Sequence, residues 1–328
     1  MVRDIYLRAD GNSEIGIGHV IRTLALGKML SPEFNCTLVT RFGSDFLERE
    51  ARKANLEIKY LSQLGSHFEE FLQMLTGEEL VVLDNYYFDS EYQQSIKKKN
   101  CSLVVIDDLH DGHFFADLII NHSPSAKPSF YSCESNTKLL LGLDYALLRE
   151  PFLSYATKNI APKETLDHIL ICFGGSDLQN LTFRYTKDLL TLTEEMGDQQ
   201  VSVILGPSYL HSNTIREISQ RNFRIFKGLD QNEMFNLMTK IDLAIVPASS
   251  ILLEIIALNK AYITGYYADN QKEIANYFSK LNGSYLGDLR TGYLTQHSIM
   301  ESWYNKEEKR IDGLSPERIL KAFTSQFK

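Results

Sequence analysis

His19 ends the run Arg8-Ala9-Asp10-Gly11-Asn12-Ser13-Glu14-Ile15-Gly16-Ile17-Gly18-His19, which sets three glycines ahead of a titratable imidazole. Ile5-Tyr6-Leu7 before the run reads as a strand. Val20, Ile21, Leu24, Ala25 and Leu26 after it fit a helix packed on one face. The glycines therefore mark a strand-to-helix turn, where backbone can approach a ligand closely and the free N–H groups of the first helical turn favour anions. The positive end of a helix disfavours imidazolium, so His19 is a candidate base able to take a proton from water. The same placement also suits a histidine that binds phosphate or caps the helix. Asp10 is placed to orient the loop or the imidazole. Gly16 and Gly18 are the positions where a phosphate or sugar would touch backbone.

Two further loops carry polar groups at strand-to-helix turns. Phe173-Gly174-Gly175-Ser176-Asp177 follows an apolar strand. Gly174 and Gly175 can lie against a diphosphate or sugar, while Asp177 also fits a plain helix cap. Pro247-Ala248-Ser249-Ser250-Ile251-Leu252-Leu253-Glu254 ends a strand and opens a helix. Ser249 and Ser250 set hydroxyls beside free N–H groups, as phosphate requires. Glu254 projects one turn beyond Ser250 on nearly the same face, where it can accept hydrogen bonds from ribose. It could also complement the helix dipole, but the apolar residues around it argue against a purely solvated role. Asn270, which starts the next helix, reads as a cap or a ligand contact, and Tyr86 as a sugar contact or a packed ring.

The elements needed to hold these loops are legible. Strand candidates at Ile5 to Arg8, Cys36 to Thr40, Leu80 to Leu83, Leu103 to Ile106 and Leu118 to Ile120 alternate with helical patterns. Asp84, Asp107 and Asn121 stand at strand ends, on the edge where open α/β sheets bind ligands. The pattern breaks from Tyr145 to Thr165, with Pro151 and Pro162, and a second set follows at His168 to Phe173, Val201 to Leu205, Phe223 to Phe226, Leu243 to Val246 and Ala261 to Thr264. The expected fold is α/β, with two Rossmann-like domains, 1–148 and 149–328, facing a cleft. Pro316 to Phe327 reads as a terminal helix.

Several classes are excluded or disfavoured. Ile21 stands where a third glycine belongs in a dinucleotide fingerprint, and Thr40-Arg41 provide no ribose-binding acid, so NAD is disfavoured. The loop lacks Gly-Lys-Ser/Thr, which excludes a nucleoside triphosphate loop. The chain of 328 residues has 44% hydrophobic and 23% charged residues and a net charge of -8, which argues against nucleic acid as the main partner. The basic clusters Lys97 to Lys99 and Lys306 to Arg310 read as solvated helix ends. No apolar run reaches membrane-spanning length, and Met1-Val2-Arg3-Asp4 has no secretory pattern, so the expected compartment is cytoplasmic, without membrane insertion. Cys36, Cys101, Cys133 and Cys172 lack metal-ligand spacing and read as reduced residues filling the core. Asp107, Asp108, His110, His113, Asp117 and His122 contain no matched ligand set, so no metal or other cofactor is expected.

Taken in order, these segments resemble the UDP-2,4-diacetamido-2,4,6-trideoxy-β-L-altropyranose hydrolases of pseudaminic acid biosynthesis. The likeness rests on Arg8-Ala9-Asp10-Gly11, Ile15-Gly16-Ile17-Gly18-His19, Ile106-Asp107-Asp108, Leu118-Ile119-Ile120-Asn121, Tyr145-Ala146-Leu147-Leu148-Arg149, Gly174-Gly175-Ser176-Asp177 and Ala248-Ser249-Ser250 with Glu254. It covers roughly residues 1 to 285. The resemblance implies the arrangement of B-type nucleotide-sugar glycosyltransferases (GT-B), with UDP held chiefly by the C-terminal domain. It implies metal-independent hydrolysis of a UDP-sugar, His19 acting as base on water that attacks the anomeric carbon. Gly18, Tyr86, Ser250, Glu254 and Asn270 carry over as substrate contacts. The chain departs from the family in its extension after about residue 285 and in offering Tyr86 and Tyr87 for one role. The alternatives are a UDP-sugar glycosyltransferase and a non-catalytic nucleotide-sugar-binding subunit. Nothing in the sequence sets the oligomeric state.

Overall fold

Leu80-Val81-Val82-Leu83-Asp84 has no polar alternation, and every residue of it is buried, as befits a strand covered on both faces by helices. Leu118–Asn121 and Leu243–Pro247 are buried throughout in the same way, and most residues of the other central strands are buried, in the computed structural model, which describes residues 3–12, 15–63, 65–158, 160, 164–196, 199–211, 215, 218, 222–282, 285–304 and 311–328. Ser13 and Glu14 of the glycine loop, Pro162 and the basic cluster at 306–310 lie outside the described residues. The chain divides into two units, Met1–Glu150 with Leu314–Lys328, and Pro151–Gly313.

The first unit holds β1 (Arg3–Ala9), β2 (Phe34–Thr40), β3 (Glu57–Tyr60), β4 (Leu80–Asp84), β5 (Ser102–Ile106), β6 (His113–Phe114), β7 (Leu118–Asn121), β8 (Ser132–Cys133) and β9 (Lys138–Leu141). Seven of these form a sheet in the order β3-β2-β1-β4-β5-β7-β9, while β6 and β8 pair separately. All the neighbours in the large sheet are parallel. The order steps one way from β1 to β3 and the other way from β4 onward. The switch point therefore lies between β1 and β4, and a ligand crevice is expected outside their carboxyl ends.

The second unit repeats this plan with β10 (His168–Cys172), β11 (Gln200–Leu205), β12 (Phe223–Lys227), β13 (Leu243–Pro247), β14 (Ala261–Tyr266) and β15 (Tyr285–Asp288). Its sheet runs β12-β11-β10-β13-β14-β15, again parallel, with the switch between β10 and β13. Ile169, Ile171, Val203, Leu243, Ile245 and Ile263 are fully buried in its core. Among the described residues, no helix is long and apolar enough to cross a membrane.

The terminal helix corrects the expected boundary. Ser315–Phe327 groups with the first unit, not with 149–313. Ile319 and Phe323 are fully buried, Phe323 meets Phe34 edge-on with ring centroids 6.3 Å apart, and the Ser315 hydroxyl donates to the Ala146 carbonyl at 2.8 Å. An amphipathic pattern shows that a helix has an apolar face; it does not say which sheet layer that face completes.

The Phe323 ring is thus a core group of the first unit contributed from the far end of the chain. Replacing Phe323 with Ala should destabilise that unit by about 3–5 kcal/mol. Hydrogen exchange should then accelerate in β1 and β2 while β10 and β13 keep their protection.

Candidate active site

The carboxyl end of β1 runs into the glycine loop. Gly16 adopts φ +82, which an L side chain rarely tolerates, and its N–H donates to the Asn12 carbonyl at 2.9 Å. The loop delivers the helix Gly18–Leu30, whose first turn has neither a side-chain cap nor an acidic residue. Among the described residues, a Cβ added at Gly18 would meet nothing within 4 Å beyond its chain neighbours and its own helix backbone. His19 follows, 7% exposed.

Asp84, at the end of β4, is fully buried and receives His19, Arg22 and Thr23 from that helix. His19 Nδ1 lies 2.7 Å from Asp84 Oδ1. Arg22 grips the same carboxylate with two donors, Nε to Oδ2 at 2.7 Å and Nη2 to Oδ1 at 2.6 Å, and the Thr23 hydroxyl donates to Oδ2 at 2.9 Å. Burial by itself would raise this carboxyl's pKa, but the Arg22 charge and these hydrogen bonds hold it well below the usual carboxylate range. An ionised carboxylate only accepts, so Nδ1 carries the hydrogen, and in the neutral form of the ring the lone pair is on Nε2. The Arg22 Nη2 atom, 3.3 Å from Nδ1, is then a neighbouring donor, not a hydrogen-bond partner. The Tyr86 ring lies edge-on to the imidazole, centroids 4.6 Å apart, and is 48% exposed.

Of the two tasks open to Asp10, orienting the loop or the imidazole, its contacts serve the first. It is fully buried and receives Arg8 Nη1 and Nη2 at 2.7 and 2.8 Å, the Arg41 backbone N–H and Nε at 2.7 and 2.6 Å, the Thr40 hydroxyl at 3.1 Å and the Tyr87 hydroxyl. Burial opposes its charge, yet Arg8 and the other donors keep its pKa far below the ordinary value. With its carboxylate engaged by these donors, Asp10 fixes the entry to the loop, and Asp84 orients His19. The adjacent tyrosines separate in the same way: Tyr87 belongs to Asp10, and Tyr86 to the imidazole.

The stretch after β5 distributes its acids and histidines among separate tasks. Asp107 accepts the N–H groups of Leu109 and His110 and the Tyr131 hydroxyl, Asp117 pairs with Lys97, and His113 lies against Ser132 and Glu134. His122 Nδ1 accepts from the Leu147 N–H at 3.2 Å. Among the described residues, no group of three or more His, Cys, Asp or Glu is arranged to hold a metal ion.

In the second unit the candidate residues stand at the carboxyl ends of β10, β13 and β14. Gly174 has φ +84, and the Gly174 and Gly175 carbonyls lie so close to Gly206 that a Cβ there would come within 2.3 Å of them. Asp177 accepts from the Leu181 and Thr182 N–H groups at 2.9 and 2.7 Å, so it caps the following helix. Ser249 is the N-cap residue of the helix Ser250–Ala257 but makes no side-chain capping bond. Ser249 and Ser250 are partly exposed, and Glu254 is buried within this otherwise apolar helix. Asn270 lies in the turn Asp269–Gln271 after β14, partly exposed.

No family model matches the chain. It is 25% identical, over 88% of its length, to an uncharacterised protein of Methanocaldococcus jannaschii, and spans 61% of that relative. Over 84% of this chain and 96% of the relative, it is also 25% identical to the UDP-2,4-diacetamido-2,4,6-trideoxy-beta-L-altropyranose hydrolase of Campylobacter jejuni. The chain resembles this hydrolase along most of its length. A glycosyltransferase of Rickettsia africae superposes with a TM-score of 0.57 at 12% identity, covering 100% of this chain and 99% of that one. The fold, two Rossmann-like α/β units, is therefore that of such glycosyltransferases.

Asparagine at position 84 would keep the shape of the aspartate but offer a weaker, uncharged acceptor. In Asp84→Asn, 15N NMR of the His19 ring at alkaline pH should show the Nε2–H tautomer gaining on the Nδ1–H form; unchanged ring shifts would contradict the geometry. A separate expectation concerns His67 and His122. Burial, then Arg41 and Arg8 in one case and Arg22 in the other, lower both to about 4. Both are favoured neutral in the folded state, so their contribution to stability is complete above the unfolded histidine value of about 6.5 and is lost as pH falls through about 4. Urea unfolding should show stability declining over that window, and His67→Asn with His122→Asn should flatten the decline.

Proposed function

We propose that the protein hydrolyses a UDP-linked diacetamido-trideoxy sugar at its anomeric carbon, releasing UDP and the free sugar for nonulosonic (pseudaminic) acid synthesis. The observation that carries this reading is the His19–Asp84 pair at the glycine loop, which turns Nδ1 to the carboxylate so that Nε2 is the nitrogen open to water; the similarity to the Campylobacter hydrolase supports it. His19 Nε2 takes a proton from water as the water oxygen bonds to the anomeric carbon. The bond from that carbon to the β-phosphate oxygen breaks, and its electron pair leaves with UDP. Asp84 holds the tautomer and stabilises the imidazolium that forms.

The second unit binds the nucleotide. The start of the helix Ser250–Ala257, with the Ser249 and Ser250 hydroxyls, receives the diphosphate, and Glu254 accepts from the ribose. Gly174, Gly175 and Asn270 line the same sheet edge. On the first unit, the Gly16 and Gly18 backbone and Tyr86 contact the sugar. A UDP-sugar glycosyltransferase, in which an acceptor hydroxyl replaces water, is the second reading, favoured by the shared fold.

UDP-diacetamido sugars incubated in oxygen-18 water with no acceptor should yield UDP and free sugar carrying one heavy oxygen, read by mass spectrometry. His19→Asn should lower that turnover by roughly 10²–10⁴-fold with UDP affinity within a few fold. Undiminished turnover in this variant would exclude His19 as the base, and release only on adding an acceptor would favour the transferase.

A further inference from the structure

Asp108, two residues beyond β5, receives two groups that both contact His19 or its partner Asp84. Arg22 Nη1 donates to its two oxygens at 2.7 Å each, and the Tyr86 hydroxyl donates to Oδ2 at 2.9 Å. Arg22 also grips Asp84, Asp84 accepts from His19, and the Tyr86 ring lies on the imidazole. These five side chains close into a ring. We propose that Asp108 is a positioning residue for the base, tying the tyrosine that lies against the imidazole to the guanidinium that holds its orienting carboxylate. The proposal deepens the reading of His19 as the base and rests on it.

The charge balance around the imidazole is set by the same contacts. Asp84 comes from β4, Arg22 from the helix of His19 itself, Tyr86 from the turn after β4, Asp108 from the turn after β5 and His122 from the turn after β7. His122 is held neutral by burial and by Arg22, and Tyr86 keeps its proton because burial and Asp108 oppose its ionisation. Two carboxylates thus face one guanidinium. Removing the charge of Asp108 leaves Arg22 offset by Asp84 alone, which makes proton uptake at His19 harder.

Asp108→Asn should move the acid limb of the kcat/KM profile to lower pH by about one unit and reduce kcat by about 10²-fold through misplacement of the base. Asp108→Glu, which restores the charge but sets the carboxylate one methylene out of place, should return the limb toward wild type while kcat stays low. Tyr86→Phe breaks the tie without altering any charge, so kcat/KM should fall about tenfold with the limb unmoved. A wild-type limb and kcat in Asp108→Asn, or wild-type kcat/KM in Tyr86→Phe, would overturn the proposal; if the asparagine variant does not fold, the other two decide. The His19 ring 15N resonances, followed against pH without substrate, should show the same displacement. A wild-type protein that releases no free sugar would therefore sink the hydrolase reading while leaving this test standing.

Discussion

The arrangement depends on one ionised carboxylate, that of Asp84, kept in the interior at the end of a parallel strand. Isolated there, the charge would be strongly unfavourable and the group would take up a proton. It stays ionised because the helix Gly18–Leu30 brings a guanidinium, a hydroxyl and an imidazole N–H to its two oxygens. Those donors are at positions 19, 22 and 23, a spacing that presents them from one helical face. The loop sets where that helix begins, and the sheet sets where Asp84 ends. Neither element by itself would fix the tautomer of His19.

The two units use one topology for different electrostatic purposes. Each sheet reverses its order beside its first strand, and each places most of its candidate residues beyond the carboxyl ends of the strands flanking that switch, with Asn270 one strand further on, after β14. In the first unit this edge holds buried ionic clusters, which suit proton transfer because their geometry is fixed before any ligand arrives. In the second it offers partly exposed hydroxyls and a helix start without a side-chain cap, which suit an anion that brings its own charge.

Much of this was legible in the sequence because central parallel strands are continuous apolar runs. The edge strands β3, β9 and β15 escaped notice for the converse reason: Glu57–Tyr60 and Tyr285–Asp288 contain no fully buried residue, and Lys138–Leu141 has only Leu140. The glycine loop and His19 could be read from residue types, and Asp84 from its place at a strand end. Its coupling to His19 could not, because the contact joins residues 65 positions apart. A signal was nevertheless present. Arg22 and Thr23 interrupt a helix otherwise built of Val20, Leu24, Ala25 and Leu26, and polar groups on a buried face need partners. Arg8 in the apolar run of β1 gave the same warning about Asp10.

The separation of Asp10 from Asp84 has its own electrostatic logic. Arg8 and Arg41 both bind Asp10, so that cluster holds two cations against one carboxylate. Asp84 and Asp108 share Arg22, giving the opposite ratio next to His19. Had either of the other arginines reached Asp84, a second positive charge would face the imidazole. By engaging them at β1 and β2, Asp10 keeps that charge with its own carboxylate. The first acid of the glycine loop thus shapes the charge around the imidazole without touching it, through the cations it retains.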